Sequence, residues 1–133
     1  MPIDYRIHFD RRRVVATASG ILTDADVFGY QREVWSRDDV AGFDEIVDMT
    51  AVDNVELPVP SSERMRTLAA ESAERDVPAA SRFAIVAPGD LAYGLGRMYA
   101  VYRETDRRST KEVRVFRRMD EALSWLEEGK RAE

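Results

Sequence analysis

Ile3, Tyr5, Ile7 and Phe9 alternate with polar residues, and Val14 to Ser19 continues in β-branched and small residues. Period-two alternation on both sides of Asp10 to Arg12 predicts a two-stranded hairpin turning there, with Gly20 closing the second strand. Thr23 or Asp24 is placed to cap a following helix. Val27, Phe28, Gln31, Val34 and Trp35 share one face of that helix at a 3.6-residue period, and it is expected to stop near Asp38 to Gly42. Ile46-Val47 before Asp48 predicts a short strand, and the two prolines within Ala51 to Pro60 predict a structured loop after it. Ser61 or Ser62 can cap the next helix, whose buried side reads Met65, Leu68, Ala69 and Ser72; Val77-Pro78 is expected to end it. Phe83 to Ala87 is apolar without alternation, the mark of a strand covered on both faces. Pro88-Gly89-Asp90 opens a long helix to about Thr105, with Leu91, Leu95, Met98 and Tyr102 as its expected inward stripe. Val113, Val115 and Phe116 form a last strand, and Met119-Asp120 a last helix burying Ala122, Leu123 and Leu126.

The order β-β-α-β-α-β-α-β-α predicts an α/β fold. Strands alternating with helices imply right-handed crossovers, a mixed but mostly parallel five-stranded sheet, an antiparallel N-terminal edge strand and about four helices.

With 133 residues, 44% of them apolar, the chain is expected to form a single domain over residues 1–133. No apolar run approaches the roughly 18 residues of a membrane span, so no integral membrane segment is expected. The opening MPIDYRIHFDRRR is charged within four residues and builds no apolar signal region, which predicts a cytoplasmic protein. The absence of cysteine removes disulfides, thiolate metal sites and cysteine nucleophiles. The net charge is −5, with 20 basic against 25 acidic residues, and argues against nucleic-acid binding. Arg11-Arg12-Arg13, Arg107-Arg108 and Arg114, Arg117 and Arg118 read as solvated turns and a strand face.

In open α/β sheets, ligands collect beyond the carboxyl ends of the parallel strands. Asp48 and Asp53, arriving there with Thr50 between them, are candidates for a carboxylate pair. Strand-end aspartates more often cap loop amides, and the only histidine, His8, lies on the polar phase of the first strand. An enzyme built on Asp48 or Asp53 with Arg97 would lack a base such as histidine, so no catalytic set, metal or cofactor is expected. Gly94-Leu95-Gly96 is not a dinucleotide loop, because the pair lies inside a helical pattern and position 99 is Tyr99. Interior glycines cost about 1 kcal/mol each relative to alanine, so the pair calls for a packing or ligand reason. Tyr93, Met98, Tyr99 and Tyr102 around Gly94 and Gly96, with Phe28 and Trp35, are candidate linings of an apolar groove or ordinary core.

From Phe83-Ala84-Ile85-Val86-Ala87, through Leu91 to Tyr99, to Val113 to Arg117 and Asp120 to Leu126, the chain resembles the SpoIIAA-like family. The Gly20-Ile21-Leu22-Thr23 turn and the Val47-Asp48-Met49-Thr50 strand end fit the same pattern. That family is similar to STAS domains, the anti-sigma-factor-antagonist fold, and is grouped with lipid-binding Sec14 (CRAL-TRIO) domains. The resemblance implies a βα superhelix. It also implies Ser61 and Ser62 as candidate phosphosites, because antagonist STAS proteins carry a regulatory serine at the start of the corresponding helix. Here the segment reads Pro60-Ser61-Ser62-Glu63, without the preceding Asp or following Gly of the family's turn.

Two functional expectations follow. The first is a non-catalytic regulatory or interaction module that binds a partner protein or a second copy of itself. The second is a carrier of an apolar small molecule or lipid.

Overall fold

The structure is a computed structural model that describes residues 2–57, 61–74, 76 and 81–131, leaving aside the side chains of residues 61, 130 and 131. Strands β1 (Ile3–His8), β2 (Arg13–Thr23), β3 (Asp44–Glu56), β4 (Ser81–Val86) and β5 (Lys111–Phe116) alternate with helices α1 (Asp24–Val34), α2 (Ser61–Glu74), α3 (Asp90–Thr105) and α4 (Met119–Arg131) after the opening hairpin. They form one five-stranded sheet in the order β1-β2-β3-β4-β5, with β1 antiparallel to β2 and every other pair parallel. Because spatial order equals chain order, each crossover advances one strand, and the chain winds as the expected βα superhelix.

The pleat sends alternate residues to opposite faces. One face carries Val14, Ala16, Val47, Phe83, Ile85 and Val115, packed under α1, α2 and α3. The other carries Ile46, Ala84 and Val86 under Ala122, Trp125 and Leu126 of α4. β4 lies between the two layers, and Phe83 to Ala87 is buried without a break, which accounts for its unalternating sequence. His8 is exposed on the edge strand, as its polar phase predicts.

Several element boundaries depart from the sequence reading. Gly20 does not end β2. It adopts φ +68°, in the left-handed region, at an irregularity in the β2–β3 register, and the strand runs on to Thr23. A glycine that absorbs a bulge carries the same residue signature as one that terminates a strand. Ala51 to Glu56 is likewise strand and not loop, because the second half of β2 pairs with it from Ser19 opposite Ala51 to Thr23 opposite Glu56. β4 pairs with β3 only as far as Asp48, so the later halves of β2 and β3 project beyond the rest of the sheet.

Helix α1 opens on a capping box. Thr23 Oγ1 accepts from the Asp26 amide at 3.2 Å, while Asp26 accepts from the Thr23 amide at 2.9 Å. It ends at Val34 instead of near Asp38, and a single 3₁₀ turn at Asp38–Val40 leads into β3. The buried face of α2 is the expected one, with Met65, Leu68, Ala69 and Ser72 inside, and the helix ends at Glu74. Val77-Pro78 lies outside the described residues.

In α3 Tyr99 and Arg103 are the buried residues; of the expected stripe Leu95, Met98 and Tyr102 pack half-buried against the core and only Leu91 departs from it. Leu91 is 55% exposed and Arg103 fully buried. A hydrophobicity pattern assigns an arginine to solvent, and here the buried Asp76 carboxylate beside Arg103 makes its burial tolerable. In α4 it is Trp125 that is buried beside Ala122 and Leu126, while Leu123 faces out.

Candidate functional site

Beneath the three-helix layer, toward the carboxyl ends of β2, β3 and β4, a half-open apolar cavity of about 110 Å³ remains unfilled. Val47, Met49, Phe83 and Ile85 of the sheet meet Met65 and Leu68 of α2 and Ala92, Leu95 and Gly96 of α3 around it. Leu22, Val55 and Leu57, on or just after the projecting ends of β2 and β3, close one side. Gly96, on the cavity wall, lets α3 come close to the sheet because it has no side chain. A Cβ there would lie 3.3 Å from both Val115 methyls and 3.7 Å from Ile85, so α3 sits close against the sheet at that point.

Gln31, Tyr30, Trp35 and Tyr99 bring polar atoms to this wall, and most of those atoms are engaged away from the cavity. Tyr30 donates its hydroxyl to Glu45, and Trp35 Nε1 donates to Glu45 Oε1 at 2.9 Å. Gln31 Nε2 donates to Ser72 Oγ at 2.7 Å, and the Tyr99 hydroxyl donates to the same oxygen at 2.8 Å. Arg103 donates Nη1 to Tyr99 at 2.8 Å and Nη2 to Asp76 at 2.6 Å, the Arg103 and Asp76 side chains each being 1% exposed. Asp76 Oδ2 also accepts from the backbone amides of Thr110 at 2.7 Å and Lys111 at 3.2 Å. Lys111 Nζ in turn donates to the Phe43 carbonyl at 2.9 Å.

Burial sets the charge states in this network. The Glu45 carboxyl is raised above its ordinary value by desolvation, against the pull of Lys111 and of its hydrogen bonds from Tyr30 and Trp35. Desolvation pushes the Tyr99 hydroxyl up to about 12 even though Arg103 works the other way. Tyr30 is likewise raised, by burial first and by Glu45 second. Both phenols are therefore neutral donors at pH 7. Ser81 and Lys111 begin their strands and Glu45 is second in β3, so these polar groups gather toward the amino ends of β3, β4 and β5, away from the carboxyl ends where the cavity lies.

Of the residues expected to line an apolar groove, Trp35, Gly96 and Tyr99 line the cavity. Phe28 and Met98 pack in the adjoining core, with the Arg64 guanidinium 4.7 Å from the Phe28 ring centre. Tyr93 lies under Arg117 at 4.1 Å and Tyr102 under Arg66 at 5.4 Å, so both rings serve as platforms for surface arginines. Gly94 is exposed, and a Cβ there would meet nothing within 4 Å. Asp48 Oδ1 accepts from the Thr50 amide at 2.9 Å, the loop-capping role common for strand-end aspartates, while Thr50, Asp53 and Arg97 are exposed. Among the described residues no group of three or more His, Asp or Glu side chains is arranged to hold a metal. Ser62 is exposed in the first turn of α2; the Ser61 side chain lies outside the described residues.

The polar relay behind the cavity escapes sequence reading except in part. Gln31 and Ser72 fall on buried helix faces by period alone. Arg103 carries a weaker signal, standing at i+4 from Tyr99 and i+7 from Gly96 on one helical stripe.

No model of a known protein family matches the chain, and no curated protein matches it. Among solved structures it is similar to the crystal structure of an uncharacterized protein of the DUF3478 family with a SpoIIAA-like fold, from Shewanella loihica PV-4. The two share 18% identity over 93% of each chain, with a TM-score of 0.56. The likeness establishes the fold, which is SpoIIAA-like, in agreement with the resemblance read from the sequence. No helix among the described residues is long and apolar enough to cross a membrane.

Proposed function

We propose that this chain is a non-catalytic binding module of STAS-like type, acting through association with a partner and not through chemistry, and that its ligand site is the apolar cavity at the carboxyl end of the parallel strands. The observation that carries this reading is the separation of chemistry from space. The cavity occupies the position where sheets of this class take ligands, yet Glu45, Asp76, Arg103 and Lys111 are bonded to one another's surroundings at the other end of the strands. A site whose titratable groups are all engaged in holding the fold can bind but has no free acid, base or nucleophile to offer.

The cavity's size narrows the alternative of an apolar carrier. At about 110 Å³ it is close to the roughly 150 Å³ engineered cavity that takes benzene. It suits a compact apolar group, and an acyl chain would require α2 and α3 to part.

Methyl-resolved NMR during a benzene titration tests the site. The expected result is saturable shifts at Met49, Met65, Leu68 and Leu95, with the α4 side of the sheet unmoved. No shift at these methyls up to the solubility limit of benzene would overturn the reading.

A further inference from the structure

The sheet ends at β1, and the way β1 bonds to β2 decides which of its backbone groups are left over. The Ser19 amide donates to the Pro2 carbonyl at 2.8 Å, and the β1–β2 register, with Ile3 opposite Ala18, sets Pro2 opposite Ser19 one step further on. Pro2 is therefore turned toward β2. Facing residues of an antiparallel pair alternate between bonded and unbonded, so Asp4, Arg6 and His8 bond inward, while Ile3, Tyr5 and Ile7 point their N–H and C=O groups out over the free edge. Among the described residues no backbone hydrogen bond reaches these groups. The edge also lacks the usual protections: its six residues pair with β2 without a bulge, and its core-facing side chains are apolar.

Its side chains sort by face. Ile3, Tyr5 and Ile7 pack half-buried on the α1 side, where the Tyr5 hydroxyl donates to Glu33 at 3.3 Å. Asp4 and Arg6 are exposed on the opposite side, and among the described residues neither has an ion-pair partner.

A second copy of the chain satisfies all of these groups at once. Closed dimers present the same patch to each other across a two-fold axis, which brings two β1 strands together antiparallel. Outward-pointing residues must face outward-pointing residues, so the register moves only in steps of two. With Asp4 opposite the partner's Asp4, or Arg6 opposite the partner's Arg6, like charges meet directly, which is destabilising. With Tyr5 opposite the partner's Tyr5, the register between those two, Asp4 faces the partner's Arg6 on one side of the axis and Arg6 faces the partner's Asp4 on the other. Ile3 and Ile7 then face each other on the α1 side. At the far edge of the sheet, on β5, Glu112 already pairs within the chain with Arg114 at 3.8 Å and with Arg82 at 3.6 Å, so less unpaired charge is left there to recognise a copy.

We propose that the protein forms a two-fold dimer through β1, with Tyr5 beside the axis, reciprocal Asp4–Arg6 ion pairs, and the two five-stranded sheets joined into one. The contact does not depend on what the apolar cavity binds.

Sedimentation equilibrium of the intact protein at low ionic strength tests it. Wild type is expected to be a dimer. Asp4→Arg or Arg6→Asp alone sets like charges opposite each other on both sides of the axis, and each is expected to raise the dimer dissociation constant about tenfold or more. Combining the two reversals restores opposite charges and is expected to return the constant to within about threefold of wild type. An equimolar mixture of the two single variants is expected to form the heterodimer. Both positions are exposed, so the variants keep the fold. In wild type the Ile3, Tyr5 and Ile7 amide hydrogens exchange more slowly as protein concentration rises, a readout that needs no substitution. A monomer at every concentration up to about 1 mM, a dimer indifferent to the single reversals, or a double reversal that restores nothing would overturn the proposal. None of these outcomes would alter the result of the benzene titration.

Discussion

Replacing Asp76 with alanine strands the most deeply buried charge among the described residues, the Arg103 guanidinium. The Arg103 side chain is 1% exposed, its ion pair with Asp76 spans 2.6 Å, and its other hydrogen bonds go to neutral partners, Tyr99 at 2.8 Å and Ser109 at 3.0 Å. Breaking a buried pair from one side costs about 3–5 kcal/mol. Asp76→Ala also takes an acceptor from the half-buried Thr110 and Lys111 amides, and each of these lost bonds adds about 1 kcal/mol. The sum is at least about 5 kcal/mol, a large part of the roughly 5–15 kcal/mol that holds a domain folded. Arg103→Met perturbs the same pair less. It keeps much of the apolar stem, and Asp76 retains its two amide donors and Ser109, so a cost of about 3 kcal/mol is expected. The double variant is expected to be more stable than the sum of the single losses implies, by about 2 kcal/mol, because neither charge is then left alone. Urea denaturation followed by circular dichroism measures all three, provided the m-value stays constant. The reasoning fails if Asp76→Ala costs less than Arg103→Met, or if the two losses simply add.

Two other substitutions test the helix layer and the buried carboxylate. Gly94 faces open space, so Gly94→Ala should stabilise by about 1 kcal/mol and raise Tm by roughly 4 °C. Gly96→Ala places a methyl 3.3 Å from Val115 and should gain clearly less in the same calorimetric scan; an equal gain would mean that α3 does not press on β5. Glu45 tests the sign of a burial effect. Its folded pKa is raised, so its contribution to stability is complete below the ordinary glutamate value of about 4.3 and declines as pH rises through the raised value. The stability of wild type relative to Glu45→Gln should therefore fall as pH rises from about 4 and then level off; a difference that stays flat from pH 4 to 8 would contradict the desolvation account.

The helices and strands that read most clearly in the sequence are those whose partners are all apolar. Phe83 to Ala87 had to be central because nothing in it is fit for water, and Met65, Leu68 and Ala69 marked the buried side of α2 by period alone. Reading failed where one residue type serves opposite ends. Gly20 passes for a terminator and is a bulge, and Arg103 passes for surface and is core, because Asp76, far from it in the chain, supplies the charge that makes its burial tolerable.

Local pattern thus determined the order of the elements and composition the lack of cysteine chemistry, while the SpoIIAA-like winding of the sheet was implied by the family resemblance and is seen in the strand order. The tertiary structure alone decided where empty space and buried polarity fall. A cavity is the volume that side chains from β2, β3, β4 and three helices together leave unfilled, and a polar side chain can be buried only where donors and acceptors from other segments meet it. Neither quantity belongs to a single segment. That is why Gln31 reads as one more inward residue of α1 until Ser72, Tyr99 and Arg103 are brought together behind it.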